Sequence, residues 1–232
     1  MRLAIMQPYF LPYVGYFQLI AAVDVFILYD NIKYTKKGWI NRNRMLLNGS
    51  DTMFSLPLKK DSDSLDVAQR ELASDFDRKK LLNQFKGAYA HAPYFAKTWP
   101  LLESIVNCED SNLFRYIYRA IIDICKHLDI KTKIYISSEI AIDHSLKAQN
   151  KVLSMCQAMD ADTYINAVGG TQLYDRDVFR RHGVELKFIR SRPFEYLQFG
   201  APFVPWLSIV DVMMFNVQER IDVAIREGYE LL

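Results

Sequence analysis

The sequence is poor in cysteine and lacks long apolar runs. Its three cysteines stand far apart and form no C-x-x-C pair, so we expect small, buried, reduced side chains and no disulfide framework. No stretch approaches the roughly 20 apolar residues that a membrane span needs. The N-terminus has one basic residue and too short an apolar stretch for a signal peptide. We therefore expect a cytoplasmic protein without a membrane span.

An excess of charge of one sign is also lacking. The chain carries 29 basic and 27 acidic residues, a net charge of +2. A dedicated nucleic-acid binder has a one-sided basic surface, so no nucleic-acid partner is expected. Half of the 232 residues are apolar and 13% are aromatic, which is enough for a packed core and excludes intrinsic disorder.

Several familiar catalytic motifs are missing. The chain has no G-x-x-x-x-G-K-[ST] phosphate loop, no G-x-G-x-x-G fingerprint and no G-x-S-x-G nucleophile elbow. Its four histidines form no metal-spaced pair, so we predict no metal site. A Ser-His-Asp or Cys-His triad stays open, because such groups meet in space and not in sequence.

The order of predicted elements indicates the fold class. A continuous apolar run at 25–29 suggests a strand buried on both faces, and strands alternate with helices in the second half of the chain. We predict one α/β domain over residues 1–232, with a mostly parallel, doubly wound, Rossmann-like sheet, a β-hairpin insertion around Asn48-Gly49 and a helical middle segment. The predicted strands are 3–6, 25–29, 39–47, 52–58, 133–137, 162–166 and 184–189, and the predicted helices are 16–22, 78–89, 97–106, 113–128 (capped by Ser111), 146–159, 173–182 and a segment from 207 that breaks near Asn216.

The loop after the first predicted strand is the first candidate site. Ligands of open parallel sheets bind where the carboxyl ends of the strands meet their loops. Prolines restrict this loop, and the helix that follows offers unpaired N–H groups to an anion. The alternative is that its aromatic side chains pack as a lid over the sheet edge. The candidate binding residues are Gln7, Tyr9, Tyr13, Gly15 and Tyr16.

The segment after the second strand places basic side chains around an aromatic one. Such a combination suits a phosphate or carboxylate together with a base or sugar ring. A solvated surface strand with basic decoration is the alternative. The candidates are Lys36, Lys37, Trp39, Arg42 and Arg44.

Two further segments follow predicted strands. Ser137 and Ser138 suit phosphate binding or the capping of a helix. Asn166, Gly169 and Gly170 allow a ligand to approach the backbone, although a glycine pair also serves a tight turn. All five are candidate binding residues.

These segments together resemble the WbqC-like proteins. The similar stretches include IMQPYFLPYVGYFQLI at 5–20, VDVFILYD at 23–30, KKGWINRNR at 36–44 and YINAVGGTQLYD at 164–175. The resemblance covers the chain in family order and departs from it at Asn166-Ala167, where Asn-Pro is expected. It implies transfer of an acyl or aminoacyl (glycyl) group to an amino sugar, nucleotide-linked or part of a polysaccharide precursor, in bacterial surface polysaccharide (O-antigen) biosynthesis.

Under this hypothesis Asp30 or Asp211 serves as the general base, and the partner is a small-molecule sugar nucleotide. One alternative is a non-catalytic sugar- or nucleotide-binding partner of a polysaccharide-assembly complex. Another is an ATP- and Mg²⁺-dependent adenylating enzyme. In that case Tyr13 and Tyr16 stand where a HIGH-type loop has histidines, and Ser137-Ser138 forms a second phosphate loop.

Overall fold

The computed structural model describes residues 1–200 and 202–232. In this part of the chain six strands form one sheet and two form a separate antiparallel hairpin. The strands are β1 (Arg2–Met6), β2 (Val25–Leu28), β3 (Arg42–Leu47), β4 (Ser50–Ser55), β5 (Lys133–Ile136), β6 (Thr163–Ala167), β7 (Glu185–Ser191) and β8 (Tyr229–Leu231). The α-helices are α1 (Val14–Ala21), α2 (Arg78–Tyr89), α3 (Phe95–Val106), α4 (Leu113–His127), α5 (Ala148–Ala158), α6 (Arg176–Arg181), α7 (Ile209–Phe215) and α8 (Gln218–Glu227).

The large sheet has the spatial order β5-β2-β1-β6-β7-β8, and all its pairs are parallel except β7–β8. Every residue of β2 is buried, as its continuous apolar run predicts. Two apolar clusters cover the faces of the sheet. Helices α1, α7 and α8 contribute to one cluster and α5 and α6 to the other. The predicted doubly wound α/β fold with a hairpin insertion is therefore confirmed.

Four local predictions need correction. The hairpin turn has two residues, Asn48 and Gly49, and both have positive φ, so the strands are joined more tightly than the predicted four-residue connection. Helix α4 is capped by the side chain of Asn112, which accepts from the backbone N–H of Arg115, and not by Ser111. The helix predicted at 173–182 begins only at Arg176, as the short α6, because residues 168–173 form a 3₁₀ turn. The terminal strand β8 was missed because its three residues show no alternation.

The three cysteines are buried, as the sequence predicts. Cys108, Cys125 and Cys156 are all buried and unpaired. Burial raises the pKa of Cys125 and of Cys156 to about 12, so both thiols stay protonated and inert at neutral pH. Among the described residues no helix is both long enough and apolar enough to span a membrane.

The strand order fixes where loops converge. From β1 the chain moves outward to β2 and β5, then returns to the other side of β1 and continues through β6 and β7. The connections therefore diverge between β1 and β6, which makes a crevice at the carboxyl ends of these strands. The loop after β1, the loop after β6 and the amino-terminal ends of α1 and α5 all lie at this edge.

Candidate functional site

The loop after β1 is held by hydrogen bonds from distant parts of the chain. The Asn43 side chain donates to the Leu11 carbonyl at 2.9 Å, and the Ser208 hydroxyl donates to the same oxygen at 2.7 Å. The backbone N–H of Ile209 donates to the Pro12 carbonyl at 2.8 Å. Leu11 has a φ of +46°, a conformation that costs about 1–3 kcal/mol for a residue with a side chain. The surrounding contacts keep this strained loop in one shape.

Tyr13 lies at the mouth of this loop, over the start of α1. A Cβ atom built on Gly15 would stand 2.4 Å from the Tyr13 ring and hydroxyl, so only glycine leaves room for the ring. On its other side the ring meets Trp206, with centroids 5.9 Å apart. Trp206 is 58% exposed and has a φ of +59°. Two aromatic side chains thus stand together at the carboxyl edge, one of them on a strained backbone.

A cleft of about 370 Å³ opens beside Tyr13, between the start of α1 and the loop that follows β7. Phe194, Phe203 and Trp206 provide much of its apolar wall. Arg192 and Glu195 also line it, and neither forms an ion pair with another described residue. The cleft combines aromatic faces with one guanidinium and one carboxylate, a set that suits a polar ring carrying a charged group.

A smaller pocket of about 180 Å³ shares Tyr13 and Trp206 with this cleft. It brings together four residues that the sequence nominated in two separate segments, namely Tyr9, Tyr13, Trp39 and Arg44. The Arg44 guanidinium lies 5.5 Å from the Trp39 ring centroid and donates to Asp51 at 3.0 Å. The hairpin and the loop after β1 therefore meet at one edge of the cleft.

The other basic residues of this segment have contacts of their own. Arg42 donates to the carbonyls of Gly38 and Lys37 at 2.9 and 2.5 Å, which closes the loop before β3. Lys36 pairs with Asp63 at 2.9 Å, and Lys37 is exposed. Their predicted role in binding an anion stays a prediction.

Asp30 follows β2 and is buried, and the two predicted serines surround it. Ser137 Oγ donates to Asp30 Oδ1 at 2.7 Å, and Ser138 Oγ donates to Oδ2 at 2.6 Å. The backbone N–H of Ser138 also donates to Oδ1, at 2.9 Å. Next to it, the Asn31 side-chain Nδ2 lies within hydrogen-bond distance of His144 Nδ1, at 3.0 Å. Three predicted residues from two separate segments therefore form one cluster, in which the carboxylate already has three donors.

Asp211 lies apart from this cluster, in the core at the base of the loop after β7. Its Oδ1 accepts from the Tyr196 hydroxyl at 2.6 Å and from the Gln198 amide at 3.0 Å, and its Oδ2 accepts from the Tyr89 hydroxyl at 3.0 Å. The side chain is 0% exposed, and this burial raises its pKa above the ordinary value. Asp211 is thus a buried acceptor that holds together α2, α7 and the segment after β7.

The remaining candidates support the loops. The Tyr16 hydroxyl is buried and donates to the Gln7 carbonyl at 2.8 Å, and burial raises its pKa well above the ordinary value. Asn166 holds the turn after β6 by accepting from the backbone N–H of Ala167 at 2.7 Å. Gly170 packs against the Asn166 amide, whereas a Cβ on Gly169 would meet open space. The Asn-Ala departure from the family pattern is thus accommodated in an ordered turn.

Sequence reasoning missed the residues that line most of the cleft. Arg192, Phe194 and Glu195 follow β7 directly, in the stretch Arg-Pro-Phe-Glu. Their position directly after a strand is the sequence feature that identifies them as candidates, as it does for the other segments. Trp206 had no such signal, because it does not directly follow a strand. No group of three or more His, Cys, Asp or Glu side chains suited to a metal occurs in the described residues.

Comparisons with known proteins agree with the resemblance. The model of the WbqC-like protein family matches residues 7–223. The chain is also 27% identical over 219 residues to the uncharacterized protein Rv1507c of Mycobacterium tuberculosis, in an alignment that covers 93% of this chain and 94% of that protein. The family match begins directly after β1 and ends within α8, so it includes the loop after β1 and the residues that line the cleft. The chain belongs to the WbqC-like protein family.

Proposed function

We propose that this protein transfers a small aminoacyl group, glycyl in the simplest case, to the amine of a nucleotide-linked amino sugar used in surface polysaccharide synthesis. The observation that carries the proposal is the cleft beside Tyr13, where aromatic side chains adjoin the charged Arg192 and Glu195. The resemblance to the WbqC-like proteins implies the same activity, and the family match supports the assignment on which that implication depends. A volume of about 370 Å³ falls within the range of small-molecule sites.

The wall of the cleft suits each part of such a substrate. The rings of Tyr13 and Trp206 offer faces for a sugar. Arg192 offers a planar guanidinium to a phosphate, with which it makes paired hydrogen bonds. Ser191 stays at the end of β7, where its hydroxyl donates to the buried Gln18 at 2.6 Å. The loop that carries Arg192 and Glu195 is therefore fixed at its start.

The reaction requires a base for the attacking amine. The amine nitrogen forms a bond to the carbonyl carbon of an activated aminoacyl donor and gives its proton to the Glu195 carboxylate. The bond from that carbon to the leaving group then breaks, and the leaving group departs with the electron pair and takes up the proton. In this proposal Glu195 takes the role assigned from sequence to Asp30 or Asp211. Both aspartates are buried, and their carboxylates each accept three hydrogen bonds.

Binding tests the proposal before turnover does. Calorimetric titration of the whole chain with a panel of uridine-diphosphate sugars, with and without a free amine, identifies the acceptor. Arg192→Gln is expected to weaken the affinity about tenfold or more, since it removes a charge-assisted contact. The exposed Arg181→Gln on the opposite edge serves as the control. Equal affinities for both variants would remove the cleft as the site. Affinity without turnover on any aminoacyl donor would favour the non-catalytic binding protein.

We predict that Gly15→Ala displaces the Tyr13 ring, because the new methyl group takes the space that the ring occupies. The ring can rotate away, so the free energy of unfolding should change little. The affinity for the sugar nucleotide should fall about three- to tenfold, the value of one aromatic contact. Gly87→Ala, at an open site on α2, is the matched control. Unchanged affinity in Gly15→Ala would show that Tyr13 does not contact the ligand.

A further inference from the structure

Lys151 is a buried lysine without a partner. It lies near the amino-terminal end of α5 and is 5% exposed, although lysine is almost never buried unless it is paired. It makes no ion pair or hydrogen bond with another described residue, and its Nζ atom lies 5.1 Å from the centroid of the Tyr29 ring. A cation also sits unfavourably at this end of a helix, where the backbone dipole is positive. Packing therefore does not account for this lysine.

The ammonium lies at the carboxyl ends of the strands. Tyr29 directly follows β2, and the pairing of Met6 with Leu28 places Gln7, the residue after β1, level with it. Asn166 stands on β6 at the other side of β1, close to the crevice where the connections diverge. Helix α5 covers this edge on the face of the sheet opposite α1. The site of Lys151 is thus distinct from the cleft beside Tyr13.

Nearby carboxylates do not neutralise the ammonium. Burial lowers the pKa of Lys151, and the more distant charges of Asp66 and Asp30 act in the other direction. The Asp30 carboxylate already accepts three hydrogen bonds from Ser137 and Ser138. The Nζ atom keeps some accessible surface, although the residue as a whole is buried. An anion placed against it would supply the missing partner.

We propose that Lys151, above the Tyr29 ring, binds a small anion through a phosphate or a carboxylate group, at the carboxyl ends of β1 and β2. The Tyr29 hydroxyl makes no hydrogen bond with a described residue and is available as a second donor. The site serves a binding protein as well as a transferase, so it goes beyond the reaction proposed above. Loss of the transferase activity would leave this site intact.

The test compares Lys151→Met with Lys147→Met. Lys147 is an exposed lysine at the start of the same helix, so its variant controls for the loss of charge. Thermal unfolding is measured without ligand and with sodium pyrophosphate, uridine diphosphate or glycine. Lys151→Met is expected to melt at the same or a higher temperature without ligand, because an unpaired buried charge is removed. It should lose the ligand-induced stabilisation and weaken the affinity at least tenfold, whereas Lys147→Met behaves as the wild type.

A second readout uses the unaltered protein. Reductive methylation followed by peptide mass spectrometry should label Lys151 slowly, and more slowly still when pyrophosphate is bound. A rise in melting temperature with glycine but not with pyrophosphate would assign the site to a carboxylate, and the reverse would assign it to a phosphate.

The proposal is overturned if none of the three ligands stabilises or protects the wild type. It is equally overturned if Lys151→Met lowers the melting temperature and keeps the ligand effect, the result expected for a structural lysine. If the methionine variant does not fold, the same measurements are made on Lys151→Gln.

Discussion

Replacing Asp211 by alanine is expected to lower the free energy of unfolding by about 3–5 kcal/mol, the largest loss of stability among the variants considered. The substitution leaves the hydroxyls of Tyr89 and Tyr196 and the Gln198 amide without their acceptor in a dry part of the core. Each unsatisfied buried donor costs about 1–3 kcal/mol. Urea titration of both proteins, followed by circular dichroism, measures the difference.

The control for this prediction is Asp222→Ala. Asp222 is a partly exposed carboxylate on α8 that pairs with Arg226, and such a surface pair contributes less than about 1 kcal/mol. A loss below about 1 kcal/mol for Asp211→Ala would mean that the three donors find other partners. In that case the catalytic role predicted for Asp211 from sequence would regain weight.

Asp211 also makes a prediction about pH. Burial raises the pKa of Asp211 in the folded protein, so the folded state keeps a proton that the unfolded chain releases near pH 4. Its contribution to stability is therefore fully present below the unfolded pKa and is lost as the pH rises through the folded pKa. Asp211→Asn does not titrate, so the stability of the wild type relative to this variant should fall as the pH rises from about 4 through the folded pKa of Asp211. A constant difference would contradict the raised pKa.

Glu195→Gln is expected to reduce kcat about 100-fold or more while the affinity for the sugar nucleotide changes little. The amide keeps the shape of the side chain but cannot accept the proton of the attacking amine, and a general base contributes about 10²–10⁴ to the rate. Glu195 lines the cleft and makes no ion pair with another described residue, so the folded state should tolerate the change. Single-turnover kinetics with saturating acceptor measures the chemical step.

Glu219→Gln, on the exposed start of α8, is the control for this prediction. Asp30→Asn provides the competing test, because the sequence assigned the base to Asp30. If Glu195→Gln keeps full turnover and a folded Asp30→Asn protein loses it, the proton goes to Asp30. A lower melting temperature for Asp30→Asn is expected in either case, since its amide would face the donors of Ser137 and Ser138.

Local patterns predicted most of the fold because each pattern follows from burial. The run at β2 is apolar throughout because helices cover both faces of the sheet there. Helix α2 has the predicted bounds because its apolar residues follow one face and Asp77 caps its start. The sequence did not predict β8, which exists only through its pairing with β7. Such pairing is a tertiary property that three residues cannot encode.

The candidate site was less predictable, because it depends on side chains that distant segments bring together. Tyr9, Tyr13 and Trp39 were predicted from the strand-end rule, and they share a pocket. Whether a carboxylate faces solvent or three donors depends on packing, so Asp211 and Glu195 were not distinguishable in sequence. The burial of Lys151 was not predictable from the helical pattern, because a lysine in a helix is ordinarily solvated. Its burial could be recognised only from the position of α5 over the sheet.

The strand order has a consequence for synthesis on the ribosome. The central strand β1 is made long before β6, with which it pairs through residues such as Leu3 and Tyr164. At about 5–20 residues per second, β1 waits roughly 10–30 s for this neighbour. During that time one side of an apolar strand has no native partner, and contacts of such long sequence separation also form slowly. Chaperones that bind extended apolar segments are therefore expected to act on the nascent chain between the synthesis of β1 and that of β6.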